Sequence, residues 1–271
     1  MERIKNKFRE LKEINKKALV AFISACDPNL KFSQEILNKL PSYGADIIEI
    51  GLPFSDPMAD GPTIQKSSQR AIKSGFTVDK TLNLIKNFRK LNKKTPIIFM
   101  GYFNTIYQYG LKNFFQKSSN FGVDGVIIVD LPPEEEFLID DFIRSTNINI
   151  IKLITPTTSK ERLKTILKSA GGFLYYVSIM GITGTKKPSM KDVKNAVELI
   201  QKNTSMPIVV GFGINNVMQI SKISKFADGS VVGSSLVKII EKSVENKQKN
   251  EKTLSNIKKF IQELNHGCYT N

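Results

Sequence analysis

Histidine is almost absent from this chain. A single residue, His266, stands near the end of the 271, and tryptophan does not occur at all. Imidazole-based triads and multi-histidine metal centres are thereby excluded, so acid–base chemistry falls to carboxylates, tyrosine or lysine. Cysteine is scarce as well. Cys26 and Cys268 lie near opposite ends, without CxxC or metal-ligand spacing, which fits reduced thiols rather than a disulfide framework. No apolar run approaches the ~20 residues that a membrane span requires. Met1–Lys17 is a charged amphipathic stretch that lacks the apolar centre of a signal peptide. The expectation is a soluble, cytoplasmic protein with no membrane partner.

Positive charge, by contrast, is abundant. Lysine and arginine number 40 against 25 acidic residues, a formal net charge of +15. That balance raises the question of nucleic acid. However, 34 of the 40 are lysine, spread along the whole chain, whereas specific DNA readers lean on arginine for bidentate base contacts. No nucleic-acid motif accompanies the charge, so a solvated basic surface is expected and no nucleic-acid partner.

Short apolar, β-rich runs recur along the chain. They are Leu19–Ala25, Asp46–Leu52, Pro96–Tyr102, Gly125–Asp130, Asn149–Ile154, Phe173–Ser178, Pro207–Gly213 and Gly229–Ser234. Amphipathic stretches alternate with them: Ser33–Tyr43, Pro133–Ser145, Ser159–Ser169, Ser189–Lys202 and Asn215–Lys225. Near-continuous apolar strands separated by helices indicate a parallel sheet. Eight such runs are the count of a (β/α)8 TIM barrel, and no glycine-rich dinucleotide fingerprint follows the first run. The reading is an α/β fold in one domain spanning 1–271. It has an extra N-terminal helix over 1–17, a barrel over 18–245 and a C-terminal helical extension over 246–271. The long connections, Pro53 to Lys94 and Gly181 to Ser189, fall after strands, where barrels build their active sites.

Two acids draw attention. In the second run, alternation places Ile47, Glu49 and Gly51 on one face, with Ile48 and Ile50 on the other. A glutamate among isoleucines is costly unless paired, protonated or used, and desolvation raises its pKa toward the range suited to acid–base work. Directly after it runs Gly51-Leu52-Pro53-Phe54-Ser55-Asp56-Pro57-Met58-Ala59-Asp60-Gly61-Pro62-Thr63, a rigid loop above Glu49. Asp60 has two available roles, as a functional carboxylate or as the cap of a helix starting at Pro62.

Glycine turns follow the last three strands: Gly181-Ile182-Thr183-Gly184, Gly211-Phe212-Gly213 and Gly233-Ser234-Ser235. Glycine admits close anion approach, helix N-termini supply N–H donors, and barrels often bind phosphate after strands seven and eight. A small phosphorylated ligand is expected there. Tyr175 and Tyr176 are adjacent, so one of them faces the barrel. Phe22, Met100, Tyr102, Ile127, Val129 and Phe212 would give an apolar and aromatic lining suited to a flat ligand.

The run Ile48-Glu49-Ile50-Gly51-Leu52-Pro53-Phe54-Ser55-Asp56-Pro57-Met58-Ala59-Asp60-Gly61-Pro62-Thr63-Ile64-Gln65 resembles the signature of the tryptophan synthase alpha chain family. Met100-Gly101-Tyr102-Phe103-Asn104, Val129-Asp130-Leu131-Pro132, Gly181-Ile182-Thr183-Gly184 and Gly211-Phe212-Gly213-Ile214 follow in the family's order, and the resemblance spans about Phe8 to Leu264. It implies retro-aldol cleavage of indole-3-glycerol phosphate to indole and glyceraldehyde 3-phosphate. Glu49 would act as acid–base residue, Asp60 as partner of the indole N–H, and Tyr175 beside them. Phe22, Met100, Tyr102, Ile127, Thr183 and Phe212 would contact the indole and glycerol portions, and Gly184, Gly213, Gly233 and Ser234 the phosphate. The resemblance also implies no cofactor or metal in this chain. It implies instead a partner beta subunit carrying pyridoxal phosphate, in an alpha-beta-beta-alpha heterotetramer, with Asp56 on the partner loop. Two departures from the family pattern are Cys26, where a small glycine is usual, and Met180, at a more often polar position. Alternatives on the same fold are a stand-alone indole-releasing lyase and a Schiff-base aldolase using Lys152.

Overall fold

The computed structural model describes residues 2–178, 189–211 and 213–270. Its strands are β1 (Ala18–Ser24), β2 (Ile47–Gly51), β3 (Ile97–Gly101), β4 (Gly125–Ile128), β5 (Asn149–Ile150), β6 (Lys152–Ile154), β7 (Leu174–Val177), β8 (Ile208–Gly211) and β9 (Gly229–Val232). All pair in parallel, in the order β5-β4-β3-β2-β1-β9-β8-β7-β6. The two ends of that order, β5 and β6, are consecutive segments of one strand joined at Ile151, so the sheet closes into a ring. The fold is a (β/α)8 barrel, as the alternation of runs predicts.

Alternation sorts every strand into two layers. Ala18, Val20, Ile47, Ile98, Ile127, Ile151, Tyr175, Val209 and Val231 fill the barrel interior. Leu19, Ala21, Ile48, Ile50, Phe99, Val126, Tyr176 and Val210 pack outward against the helices. Both faces are buried, which is why the strands read as continuous apolar runs. The first helix, α1 (Glu2–Glu13), turns Ile4 and Leu11 into the interior layer, with Phe8 at its edge. Phe8 meets Phe173 with ring centroids 5.9 Å apart. Arg3 then anchors α1 to Asp124 at 2.7 Å and to the Lys93 carbonyl at 2.8 Å. This helix plugs the bottom of the barrel and leaves the strands' C-terminal ends open.

The helices that carry the site follow the predicted pattern. After α2 (Leu30–Tyr43), the long connection beyond Pro53 contains two helices, α3 (Pro62–Lys73) and α4 (Val78–Leu91). Then come α5 (Phe103–Tyr109) and α6 (Leu111–Phe121). The stretch expected as one helix over Pro133–Ser145 is instead a 3-10 turn, Pro133–Leu138, followed by a short helix, α7 (Asp140–Arg144). The reason is Glu136, which turns inward and pairs with Lys152 of β6; a regular helix would leave that acid in solvent. The remaining helices are α8 (Lys160–Leu167), α9 (Met190–Gln201), α10 (Val217–Ile223), α11 (Ser234–Glu245) and α12 (Asn250–His266). The break near Asn246 separates α11 from α12, the C-terminal extension. Among the described residues no helix is long and apolar enough to cross a membrane.

Candidate active site

A cavity of about 1110 Å³ opens at the C-terminal ends of the strands. Glu49 lies in its wall on the interior face of β2, between the layers formed by Ile47 and the close-packed Gly51. It is 1% exposed, and its Oε2 has no hydrogen-bond partner. A Cβ at Gly51 would come within 2.6 Å of the Phe22 ring, so glycine is what lets Phe22 lie across the mouth.

The loop above Glu49 brings in the second acid. Reverse turns, with Met58 N–H donating to Asp56 O and Asp60 N–H to Pro57 O, fold 56–60 back over the barrel. The Tyr102 hydroxyl accepts from Ala59 N–H at 3.0 Å and hydrogen-bonds the Asp60 carboxylate. Gln65 donates to the Asp60 carbonyl at 2.8 Å. The cap of α3 is Gly61, with no side-chain cap hydrogen bond and Pro62 in the first turn. Asp60 is therefore not the helix cap, and its carboxylate lines the cavity with Glu49 and Tyr175.

Burial sets the two acids apart. Desolvation, with the negative charge of Asp60 added, pushes Glu49 up to about 8. Asp60, less enclosed and hydrogen-bonded by Tyr102, rises only to about 6. Both carboxyls are thus held above their ordinary range, Glu49 further than Asp60 because it is the more deeply buried. Two neighbouring carboxyls in unlike environments are chemically able to divide the work of proton donor and acceptor. Tyr175 stays a phenol, because burial and the two nearby carboxylates push it well above its ordinary value.

Across the mouth, Gly213, Gly233 and Ser234 line the same cavity. Gly213 has φ +63°, a conformation natural to glycine. Ser234 opens α11, a 12-residue helix whose cap, Gly233, offers no side chain to the first-turn amides. Backbone donors and the helix dipole face the cavity here, an arrangement fit for a phosphate.

Most predicted residues converge. Phe22, Glu49, Asp60, Met100, Tyr175, Gly213, Gly233 and Ser234 share the cavity. Tyr102 stands behind Asp60 and reaches it by hydrogen bond rather than lining the main space. Ile127 faces inward but one layer down, in the barrel core, and Val129, just past the end of β4, takes the cavity position. Thr183, Gly184 and Phe212, like Met180, lie outside the described residues. Val231 and Leu153 also line the cavity; two-residue alternation from Gly233 and Ile151 would have found both. Asp56 is exposed on the loop's outer side, next to the exposed Met58. Cys26 is buried with φ +63°, the backbone state that a glycine would hold freely.

Lys152 borders the cavity but does not present a free amine there as a Schiff-base lysine would. Leu153 pairs in register with Tyr175 and shares its inward face, so Lys152 points to the helix layer. There its ammonium is ion-paired with the buried Glu136. Among the described residues no group of three or more His, Cys, Asp or Glu is placed to hold a metal.

Comparison with known proteins agrees with this geometry. The family model described as tryptophan synthase alpha chain matches residues 8–268. A tryptophan synthase alpha chain from Gluconobacter oxydans (strain 621H) is 44% identical over 264 residues, covering 97% of this chain and 98% of that one. The crystal structure of tryptophan synthase subunit alpha from Legionella pneumophila str. Paris superposes with a TM-score of 0.91 at 35% identity, covering 99% and 98%. A tryptophan synthase structure from Mycobacterium tuberculosis, in space group F222, gives 0.89 at 28% identity, covering 99% of each chain. The barrel, its paired carboxylates and these likenesses agree: the chain belongs to the tryptophan synthase alpha chain family.

Proposed function

We propose that this lyase cleaves indole-3-glycerol phosphate by a retro-aldol reaction and passes the indole to a tryptophan synthase beta subunit. The observation that carries the reading is that Glu49, with a buried and unpartnered Oε2, and Asp60 line one cavity together with Gly213, Gly233 and the N-terminal Ser234 of α11.

In this mechanism the phosphate sits on Gly213, Gly233 and Ser234, and the indole ring lies between Phe22, Met100 and Tyr175. Asp60, ionised, accepts the ring N–H. Glu49, protonated, delivers its proton to ring C3. The ring becomes cationic, and the nearby Asp60 charge stabilises it in a dry cavity where such an interaction is strong. Glu49, now a carboxylate, takes the proton from the hydroxyl on the carbon attached to C3. That hydroxyl closes to a carbonyl as the carbon–carbon bond breaks, and its electron pair returns to the ring. Indole, carrying the delivered proton at C3, and glyceraldehyde 3-phosphate result, and Glu49 ends protonated again by the proton of the hydroxyl. The exposed loop holding Asp56 and Met58 would meet the beta subunit, whose pyridoxal phosphate serves the later step.

The test is indole production from indole-3-glycerol phosphate by the purified chain, with and without a beta subunit. Release that rises strongly when the beta subunit is added supports the whole reading. Release without any stimulation would leave a stand-alone lyase, and no release in either case would overturn the proposal.

A further inference from the structure

Behind Asp60 lies a second, small space of about 20 Å³. A buried water needs about 10–15 Å³ of this kind of volume and two to four polar partners. The polar residues around it are Ser24, Ser68, Asp60 and Tyr102, and the first two and Tyr102 are at most 5% exposed.

Ser24 is the visible end of a buried string. Its hydroxyl lies 2.6 Å from that of Ser67, and Ser67 Oγ lies 2.7 Å from Asp27 Oδ2. Arg70 closes the string, its Nε and Nη2 donating to the two oxygens of Asp27 at 2.8 Å each. Ser67 Oγ is the donor toward both Asp27 Oδ2 and Ser24 Oγ, and the arginine-held carboxylate of Asp27 only accepts. Ser24 accepts from Ser67 and keeps its own proton for the space. Tyr102, whose hydroxyl accepts from Ala59 N–H, hydrogen-bonds Asp60. A donor, the Ser24 hydroxyl, and an acceptor, the Asp60 carboxylate, therefore border a space of one water's size. A water that accepts from Ser24 and donates to Asp60 fits that arrangement.

We infer that one water molecule occupies this space and links Asp60 to the Ser24–Ser67–Asp27–Arg70 string, making Ser24 a positioning residue for the Asp60 carboxylate. The inference rests on the proposed role of Asp60 as the ionised acceptor of the ring N–H. The string spans the end of β1 and the helix α3 that leads out of the Asp60 loop. Its function is to fix the carboxylate against the barrel frame and to supply a further donor to its ionised form. The groups that face Asp60 are Glu49 from β2, Tyr102 from the end of β3 and Tyr175 from β7, with Asp130 beyond Tyr102. Among the described residues none of these groups is basic, so none of them is a cation that could replace a lost donor.

The experiment is the pH profile of kcat/KM for indole release by the wild-type chain, Ser24→Ala and Ser24→Thr, with inorganic phosphate binding measured alongside. Ser24→Ala is expected to move the acid limb up by about half a pH unit or more and to lower kcat several-fold. Phosphate affinity should stay unchanged, and Ser24→Thr, which keeps a hydroxyl, should restore the wild-type profile. A Ser24→Ala profile superimposed on the wild type, or an equal shift in Ser24→Thr, would overturn the inference. Should Ser24→Ala fail to fold, a crystal structure of the wild-type chain with ordered solvent decides the matter. A water between Ser24 and Asp60 supports the inference; an empty space there refutes it. Absence of indole release in the wild type is a separate result, which removes the functional reading and leaves the crystallographic arm to judge the water.

Discussion

Replacing Glu49 with glutamine should stabilise the protein at alkaline pH while disabling it. In the folded chain the Glu49 carboxyl is pushed from 4.5 up to about 8, first by burial and then by Asp60. A raised carboxylate pKa means that the folded state binds more protons than the unfolded state between those two values. Stability from this group is therefore complete below about pH 4.5, falls as pH rises toward 8, and stays low beyond it. At about 1.4 kcal/mol for each pH unit, the full penalty for charging Glu49 approaches 5 kcal/mol as an upper bound. Glutamine keeps the shape and never charges. Glu49→Gln should thus exceed the wild type by about 2–5 kcal/mol at pH 9, and the gain should vanish by about pH 5. Urea denaturation of both proteins across that pH range measures the difference directly. A variant less stable than the wild type at pH 9, or a difference independent of pH, would refute the desolvated, protonated Glu49 on which the mechanism depends.

Other substitutions probe separate parts of the account. Gly211→Ala places a Cβ 2.8 Å from Tyr175 Cε1 and 3.0 Å from its hydroxyl oxygen. It should cost about 1–3 kcal/mol in urea denaturation and displace the Tyr175 ring, reducing indole release. Lys152→Ala leaves Glu136 buried without its cation. A loss of about 3–5 kcal/mol in stability is expected, with the rate per folded molecule unchanged, since Lys152 lies outside the reaction. Gly213→Ala forces φ +63° on a residue with a side chain, at about 1–2 kcal/mol. It should weaken inorganic phosphate binding, as read by isothermal calorimetry, more than it slows turnover at saturating substrate.

The barrel was legible because burying both faces of a parallel strand leaves a nearly continuous apolar run, and Glu49 interrupts such a run conspicuously. Alternation put Glu49 on one face with Ile47 and Gly51 without saying which face turns inward; the structure places that face in the interior. Partners distant in the chain were not legible. The pairing of Glu136 with Lys152 bends the stretch after Pro133 out of a regular helix, and nothing local to Pro133–Ser145 reveals a lysine waiting in β6. The Ser24–Ser67–Asp27–Arg70 string joins residues some 40 positions apart that look like ordinary turn and helix-surface residues. The choice between Asp60 as cap and Asp60 as cavity carboxylate also needed coordinates, since Gly61 and Pro62 begin the helix either way. Ile127 shows the limit of alternation: it gives the face of a strand but not the depth along the barrel axis.

In the proposed mechanism Glu49 gives one proton to ring C3 and takes another from the glycerol hydroxyl, while Asp60 holds the ring nitrogen. The direct measurement is indole release from indole-3-glycerol phosphate by the wild-type chain and Glu49→Gln, with phosphate binding measured in both. Loss of general acid–base catalysis should lower the rate on the order of 10²–10⁴-fold or more while phosphate affinity is retained. A Glu49→Gln variant that releases indole at close to the wild-type rate would contradict the account.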